Sequence, residues 1–212
     1  MFVRSLYITC DPADVGPALD VIAKAVPGMM AEQSGFDGIG VFADRALGKI
    51  LTGSWWETEQ ALKNSDEQLR DRRVDMLARF VSTITTVNLE AAAFTPPASA
   101  TSGSFRLQRM MFEPAMAGGI VRAFEEVGLP GLQAVDGFQG ASLLLDRAHN
   151  IAGVGTFFRD TEALAASRGP HAAIRKAAFE QMKGGVQMLA LEEFDVVELD
   201  LPTSNPIPVP PR

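Results

Sequence analysis

The stretch Gly35-Phe36-Asp37-Gly38, followed by Asp44-Arg45-Ala46, Gly53, Trp55-Trp56, Ala61-Leu62 and Ser65, returns without a gap 102 residues further along the chain. It reappears as Gly137-Phe138-Gln139-Gly140, Asp146-Arg147-Ala148, Gly155, Phe157-Phe158, Ala163-Leu164 and Ser167. Self-similarity at one fixed offset is the mark of a duplicated unit, and two copies are too few for a solenoid array. Glu90 still falls on Glu192 near the end of each copy. The chain of 212 residues is therefore expected to hold a first unit over 1–94 and a second over 104–201. The segment 95–103, rich in Pro, Ser and Thr and without apolar period, reads as an exposed linker. The stretch 202–212, with Pro202, Pro206, Pro208, Pro210 and Pro211, reads as an extended tail.

Working outward, each copy shows the same order of periods. Phe2 to Cys10 is rich in β-formers, and Asp11-Pro12 then starts a helix. Val15, Leu19, Ile22, Ala23 and Val26 recur at helical spacing, with a break expected at Pro27-Gly28 and one more turn through Gln33. Phe36–Ala43 and Lys49–Trp56 are short apolar runs around a turn, hence a hairpin. Thr58 caps a helix reaching Phe80 or Val81, with an interruption expected near Asn64-Ser65-Asp66, and Thr83–Ala93 is β-branched enough to be a strand. The second copy repeats this with a strand from Phe105, a helix from Ala115, a hairpin at Asp146–Asn150, a helix from Asp160 and a last strand through Leu199. A β-α-β-β-α-β unit carries both helices on one face of its sheet. The fold class expected is α+β: two ferredoxin-like units packed sheet to sheet as an intramolecular pseudodimer, with further pairing into a homo-oligomer left open.

Composition narrows the function. The chain carries 19 Lys and Arg against 26 Asp and Glu, a net charge of −7, the wrong sign for tracking phosphates, so no nucleic-acid partner is expected. No apolar run is long enough to span a bilayer, so no membrane partner is expected and a cytoplasmic location is the reading. Cys10, the one cysteine, reads as a small buried filler. No set of His and carboxylates stands at ligand spacing and no phosphate-cradling glycine loop opens a helix, so neither a metal nor a nucleotide cofactor is expected.

The run Gly35-Phe36-Asp37-Gly38, the hairpin, Ser54-Trp55-Trp56-Glu57-Thr58-Glu59-Gln60-Ala61-Leu62 and Glu192-Glu193-Phe194-Asp195-Val196-Val197 resembles the antibiotic biosynthesis monooxygenase superfamily of dimeric α+β barrels. Gly155-Thr156-Phe157-Phe158-Arg159-Asp160-Thr161-Glu162-Ala163-Leu164 is a degenerate second form. The resemblance implies a pocket between the sheet and helices of each unit, and a superfamily that includes cofactor-free oxygenases of aromatic polyketides and haem-degrading enzymes. Haem-degrading members use an Asn, a Trp and a His ligand. By ungapped reading the Asn position is Tyr7 in the first copy and Arg109 in the second, and the Trp position is Trp56 and Phe158. The ligand position falls near Val74 and Lys176, neither a plausible neutral ligand, which disfavours haem degradation.

Two histidines are present. His149 lies in a hairpin turn, where solvation is its ordinary role, and His171 follows Gly169-Pro170 near a helix restart, where it either bonds a helix end or acts as general base. Tyr7 either makes one structural hydrogen bond or orients a substrate carbonyl, and Arg109 either pairs with Glu113, Glu125 or Glu126 or binds a substrate anion. Trp55 and Trp56 point to opposite faces of a strand, so one can be core and the other lining. Met29, Met30, Met110, Met111 and Met116 fill gaps or line an adaptable apolar site. Arg45 and Arg147 hold the hairpin loop or bridge the copies. The expectation is a cofactor-independent monooxygenase of a small apolar or aromatic, enolisable molecule. His171, Arg109 and Tyr7 are then catalytic, and Trp56, Phe158, Trp55 and Met110 bind substrate. The rival readings are a non-catalytic binding or scavenging module, a haem-binding relative with altered ligands, and an interaction protein without a pocket.

Overall fold

The computed structural model describes residues 1–97 and 103–201. Most of the expected linker and the whole proline-rich tail lie outside the described residues. The described residues divide into two compact units, one from Met1 to Asn88 together with 197–201, the other from Leu89 to Val196.

The first unit contains β1 (Phe2–Cys10), α1 (Val15–Ala31), β2 (Phe36–Asp44), β3 (Lys49–Trp56), α2 (Glu59–Leu77) and the opening of β4 (Val81–Thr95). β1 and β2 both pair antiparallel with β3, in registers such as Ile8↔Ile50 and Ala43↔Ile50. The opening of β4 lies beside β1, where the Thr9 and Thr83 hydroxyls are 2.6 Å apart. The order is thus β4-β1-β3-β2, the split β-α-β arrangement. Both helices cover one face: α1 buries Val15, Leu19, Ile22 and Val26, and α2 buries Leu62, Leu69 and Leu77, against Leu6, Ile8, Val41 and Ile50.

The second unit holds β5 (Ser104–Phe112), α3 (Ala117–Ala123), α4 (Leu129–Gln133), β6 (Phe138–Asp146), β7 (Ile151–Phe158), α5 (Thr161–Ala166), α6 (Arg168–Met182) and most of β8 (Val186–Asp200). Its strands run β8-β5-β7-β6, the same order, and β6 also pairs with Glu90–Thr95 of β4. The division into units therefore runs through the two longest strands: β4 changes unit at Leu89 and β8 at Val197. Within the second unit Arg147 pairs with Glu90 at 2.6 Å, so this hairpin arginine does tie the second copy to a strand of the first.

The helix expectations need correction. α1 does not break at Pro27 but continues to Ala31, because its last turn is held by the burial of Val26, Met29 and Met30, which outweighs one missing backbone donor. α2 is uninterrupted through Asn64-Ser65-Asp66, since Ser65 is buried and turns its hydroxyl back onto the Leu62 carbonyl at 2.8 Å. The break falls in the second copy instead, between α5 and α6, where Pro170 cannot donate to the Ala166 carbonyl. Likewise the first helix of that copy is split by a wider π-type turn, Phe124–Gly128, just before Pro130.

The repeated residues have visible reasons. Gly35 and Gly137 adopt φ of +75° and +78°, and a Cβ on Gly35 would stand 2.8 Å from that of Ala61, with Ala163 closer still to Gly137. Thr58 and Asp160 occupy equivalent N-caps, accepting from Ala61 N at 3.1 Å and Ala163 N at 2.7 Å.

Candidate functional site

The offset of 102 also relates Arg4 to Arg106, a pair that sequence reading passed over. Each stands on the first strand of its unit, faces the helices and is only 1% exposed. Arg106 donates from Nη1 to Ser167 Oγ and His171 Nδ1, both at 2.9 Å, and from Nη2 to the Leu164 carbonyl at 2.9 Å and Glu193 Oε1 at 2.7 Å. Its Nε donates to the same carboxylate oxygen at 3.1 Å, so all five guanidinium hydrogens are engaged. Arg4 reproduces half of this set, donating to Ser65 Oγ at 2.8 Å and to the Leu62 carbonyl. The aromatic residue ending the third strand lies against the cation in both units, Trp56 at 5.8 Å from Arg4 and Phe158 at 5.4 Å from Arg106.

The counter-charges differ. Arg106 has Glu193 of β8, itself gripped by Arg168 at 2.6 Å; burial would raise the Glu193 pKa, but hydrogen bonds from Arg168 and Arg106 hold it below the usual range. Arg4 has Asp66 of α2, 3.6 Å from its Nε, and that carboxylate is shared with Arg70 and Arg73. Burial, then the neighbouring Arg73, pulls the Arg4 pKa down to about 10, so it remains charged at neutral pH.

His171 is 3% exposed. A guanidinium only donates, so His171 Nδ1 accepts from Arg106 and the neutral ring carries its proton on Nε2. Burial first, then the positive charges of Arg106 and Arg175, lower its pKa to about 4. At neutral pH the imidazole is therefore an uncharged hydrogen-bond donor. The nitrogen that a general base would use is already committed, which alters the role expected from sequence.

A cavity of about 50 Å³ lies between sheet and helices in the second unit, and one of about 30 Å³ in the first. They are the same site in two copies. Gln108, Met110, Gly128, Arg175 and Ala178 line the larger, and Leu6, Ile8, Val26, Arg73 and Met76, each 102 residues earlier, line the smaller. Gly128 for Val26 and Ala178 for Met76 remove side-chain volume from the second site. Gln108 for Leu6 and His171 for Leu69 make it polar. Gln108 is 4% exposed and lines the cavity. Ile174 lines both this cavity and a surface depression of about 460 Å³ that also includes Gly131, Asp136 and Pro170.

Of the residues singled out from sequence, His171 and Met110 line the second cavity. Arg109 does not: strand alternation places it with Leu107 and Met111 on the opposite face of β5, where it pairs with Glu192 at 3.0 Å. The pairing with Glu192 differs from the expected partners Glu113, Glu125 and Glu126. Tyr7 likewise stands on the face of β1 opposite to Leu6 and Ile8. Trp56 packs edge-on to Phe36 at 5.6 Å and donates to Ser54 Oγ at 2.9 Å, while Trp55 takes the other face of β3. Phe158 packs with Ala163, Leu164 and Val135 beside Arg106 and does not line the cavity. Met29 and Met30 are in the first core; Met116 packs against the second and Met111 is exposed, so the methionines form no single cluster. Cys10 is buried and its pKa is raised by that burial. His149 is exposed and bonded to Asp146 at 2.7 Å. Val74 and Lys176 are at the surface. As it stands the cavity of about 50 Å³ has no room for a haem, and Nδ1 of His171, the histidine that lines it among the described residues, is engaged by Arg106.

No protein-family model matches the chain. Two uncharacterized proteins of Mycobacterium tuberculosis are similar along most of their length. Rv2557 is 27% identical over 196 residues, covering 91% of this chain and 81% of that protein; Rv2558 is 23% identical over 198 residues, covering 92% and 83%. Among solved structures, an anthrone oxidase-like protein superposes with a TM-score of 0.70 at 17% identity, covering 96% of this chain and 93% of the other. A ferredoxin-fold protein of Listeria monocytogenes related to antibiotic biosynthesis monooxygenases gives 0.53 at 8% identity, covering 94% and 97%. The heme-degrading enzyme LmHde of the same species gives 0.51 at 8%, covering 92% and 98%. The fold is that of the antibiotic biosynthesis monooxygenase-like proteins and their dimeric α+β barrel relatives, and this fold serves more than one chemistry. Among the described residues, no helix is long and apolar enough to cross a membrane.

Proposed function

We propose that the second unit is the working one, and that it is a cofactor-independent oxygenase of a small aromatic or enolisable molecule. The observation that carries this reading is the exchange of Leu6 and Leu69 for Gln108 and His171 in an otherwise apolar cavity beside Arg175. Donors beside an apolar space suit a substrate whose oxygen becomes negative as it reacts. The Gln108 amide and His171 Nε2–H hold that oxygen, and the Arg175 charge favours the enolate or phenolate, whose proton passes to water. The substrate anion then reduces dioxygen. For an activated methylene, one substrate and one dioxygen give one ketone and one water. Both methylene C–H bonds break and a C=O bond forms, with one oxygen atom retained and the other leaving as water. A substrate ring exceeds the present cavity, so displacement of Ile174 joins it to the surface depression and admits the remainder of the molecule.

Oxygen uptake with anthrone- and quinol-type compounds tests the reading. The wild-type chain consumes oxygen, and Gln108→Leu, which restores the residue of the first unit, loses about 10²–10³ in rate as expected for one oxyanion donor. Absence of uptake over the whole panel overturns it. The engaged Nδ1 of His171 and the small volume favour the non-catalytic alternative; in that case the ligand binds and is recovered chemically unchanged.

A further inference from the structure

The cavity of the first unit contains an excess of positive charge that the fold does not neutralise. Arg4 and Arg73 both line it and are 1% and 7% exposed. Among the described residues Arg4 Nε and Arg73 Nη1 are buried without a hydrogen-bond partner, Asp66 Oδ1 standing 3.6 Å from Arg4 Nε, beyond hydrogen-bond distance. The nearby carboxylate is Asp66, and it serves Arg4, Arg73 and the exposed Arg70 together. One negative charge thus faces two buried guanidinium groups, even before Arg70 is counted. Buried arginines with idle donors are costly, and the usual remedy is a bonded anion.

Comparison with the second unit shows what is missing. There Arg106 finds two further acceptors inside the chain, His171 and Glu193. At the corresponding positions, 102 residues earlier, the first unit has Leu69 and Ala91, neither of which can accept from a guanidinium through its side chain. Two hydroxyl residues of β3, Thr52 and Ser54, also line the first cavity. Ser54 Oγ already accepts from Trp56 Nε1, which leaves its own hydrogen to be donated. Arg4, Arg73, Thr52 and Ser54 thus bring donors in excess over acceptors, with net positive charge, to one side of a space of about 30 Å³ whose other walls are apolar, among them Leu6, Ile8, Ile22 and Met30.

We propose that this cavity is a binding site for one small inorganic monovalent anion of chloride size, held by Arg4 Nε, Arg73 Nη1 and the hydroxyls of Thr52 and Ser54. The volume excludes a carboxylate-bearing metabolite, and a single negative charge equals the buried surplus. The anion supplies to Arg4 the acceptor that Arg106 finds within its own unit. The site is separate from that of the proposed reaction and does not depend on it.

The test uses the full chain at fixed pH and fixed ionic strength, with chloride or bromide exchanged for gluconate. The thermal midpoint of the wild-type protein rises saturably with chloride or bromide, by roughly 5–10 °C at one hundred times the dissociation constant. Arg73→Met, which removes the surplus charge, abolishes the rise. Crystals soaked in bromide show an anomalous peak beside Arg4 and Thr52, a measurement independent of whether the variant folds. A midpoint that follows ionic strength alone, or water density without an anomalous peak, overturns the proposal. So does a peak unaccompanied by saturable stabilisation, which marks an adventitious ion only.

Discussion

Replacing His171 by Leu, the residue that stands at position 69 of the first unit, should remove a specific pH dependence of stability. In the folded protein the imidazole titrates at about 4, pushed down by burial and then by Arg106 and Arg175. In the unfolded chain it titrates near 6.5. Between these values the unfolded state binds the proton and the folded state does not, so stability is complete above about 6.5 and is lost as pH falls toward 4. From about pH 8 to about pH 5 the loss is about 30-fold in the folding constant, or about 2 kcal/mol. Asp66 and Glu193, both held below the usual carboxylate range, act in the same direction but at lower pH. The assay is urea unfolding of wild type and His171→Leu at both pH values. The variant loses one acceptor of Arg106 at either pH, and only the difference between the two differences reports the imidazole. Equal pH dependence in the two proteins, or an NMR titration of His171 centred near 6.5, would refute the assignment of a neutral, Arg106-bound ring.

Arg106→Ala leaves the half-buried Glu193 and the Leu164 carbonyl short of a donor; a loss of about 3–5 kcal/mol is expected, read as a fall in the thermal midpoint of roughly 6–20 °C. Gly137→Ala combines φ of +78° with a clash at Ala163, so it should destabilise by about 2 kcal/mol or more in chemical denaturation. Gly28→Ala, in α1 with open space around the new methyl group, should stabilise by up to about 1 kcal/mol in the same assay. Arg175→Met should weaken binding of a phenolate or enolate analogue by about tenfold or more in calorimetry, while leaving the melting midpoint within a few degrees.

Much of the fold was legible because the repeat fixes two things at once: the unit length, and which glycines and aromatics have structural duties. The bounds of β1 and β3 follow from apolar pattern and the turn residues Asp11-Pro12 and Gly48. The helix breaks were less legible, since tertiary burial of Met29 and Met30 decides whether Pro27 ends a helix. The site was half legible. Counting from Pro12 and Pro114 selected Tyr7 and Arg109, but adjacent strand residues face opposite ways, so a displacement of one position moves the choice to the wrong face. Their neighbours Leu6 and Gln108 line the cavities. Arg4 and Arg106 carried a readable signal, because the offset that joins Ser65 to Ser167 and Leu62 to Leu164 also joins their partners on β1 and β5. Glu193 had no such signal, as its counterpart is Ala91 and its pairing depends on strand register.

β4 and β8 each contribute residues to both compact units, so a cut in the expected linker does not divide the chain along the unit boundary. A fragment ending at Thr95 would present the edge of Glu90–Thr95 without β6, an invitation to aggregate. Permanent union also has an evolutionary side. In a symmetric homodimer every substitution strikes both sites together, whereas one continuous gene product can keep Leu6 and Leu69 greasy while Gln108 and His171 explore new chemistry. Asymmetry of this kind is denied to an assembly of identical chains.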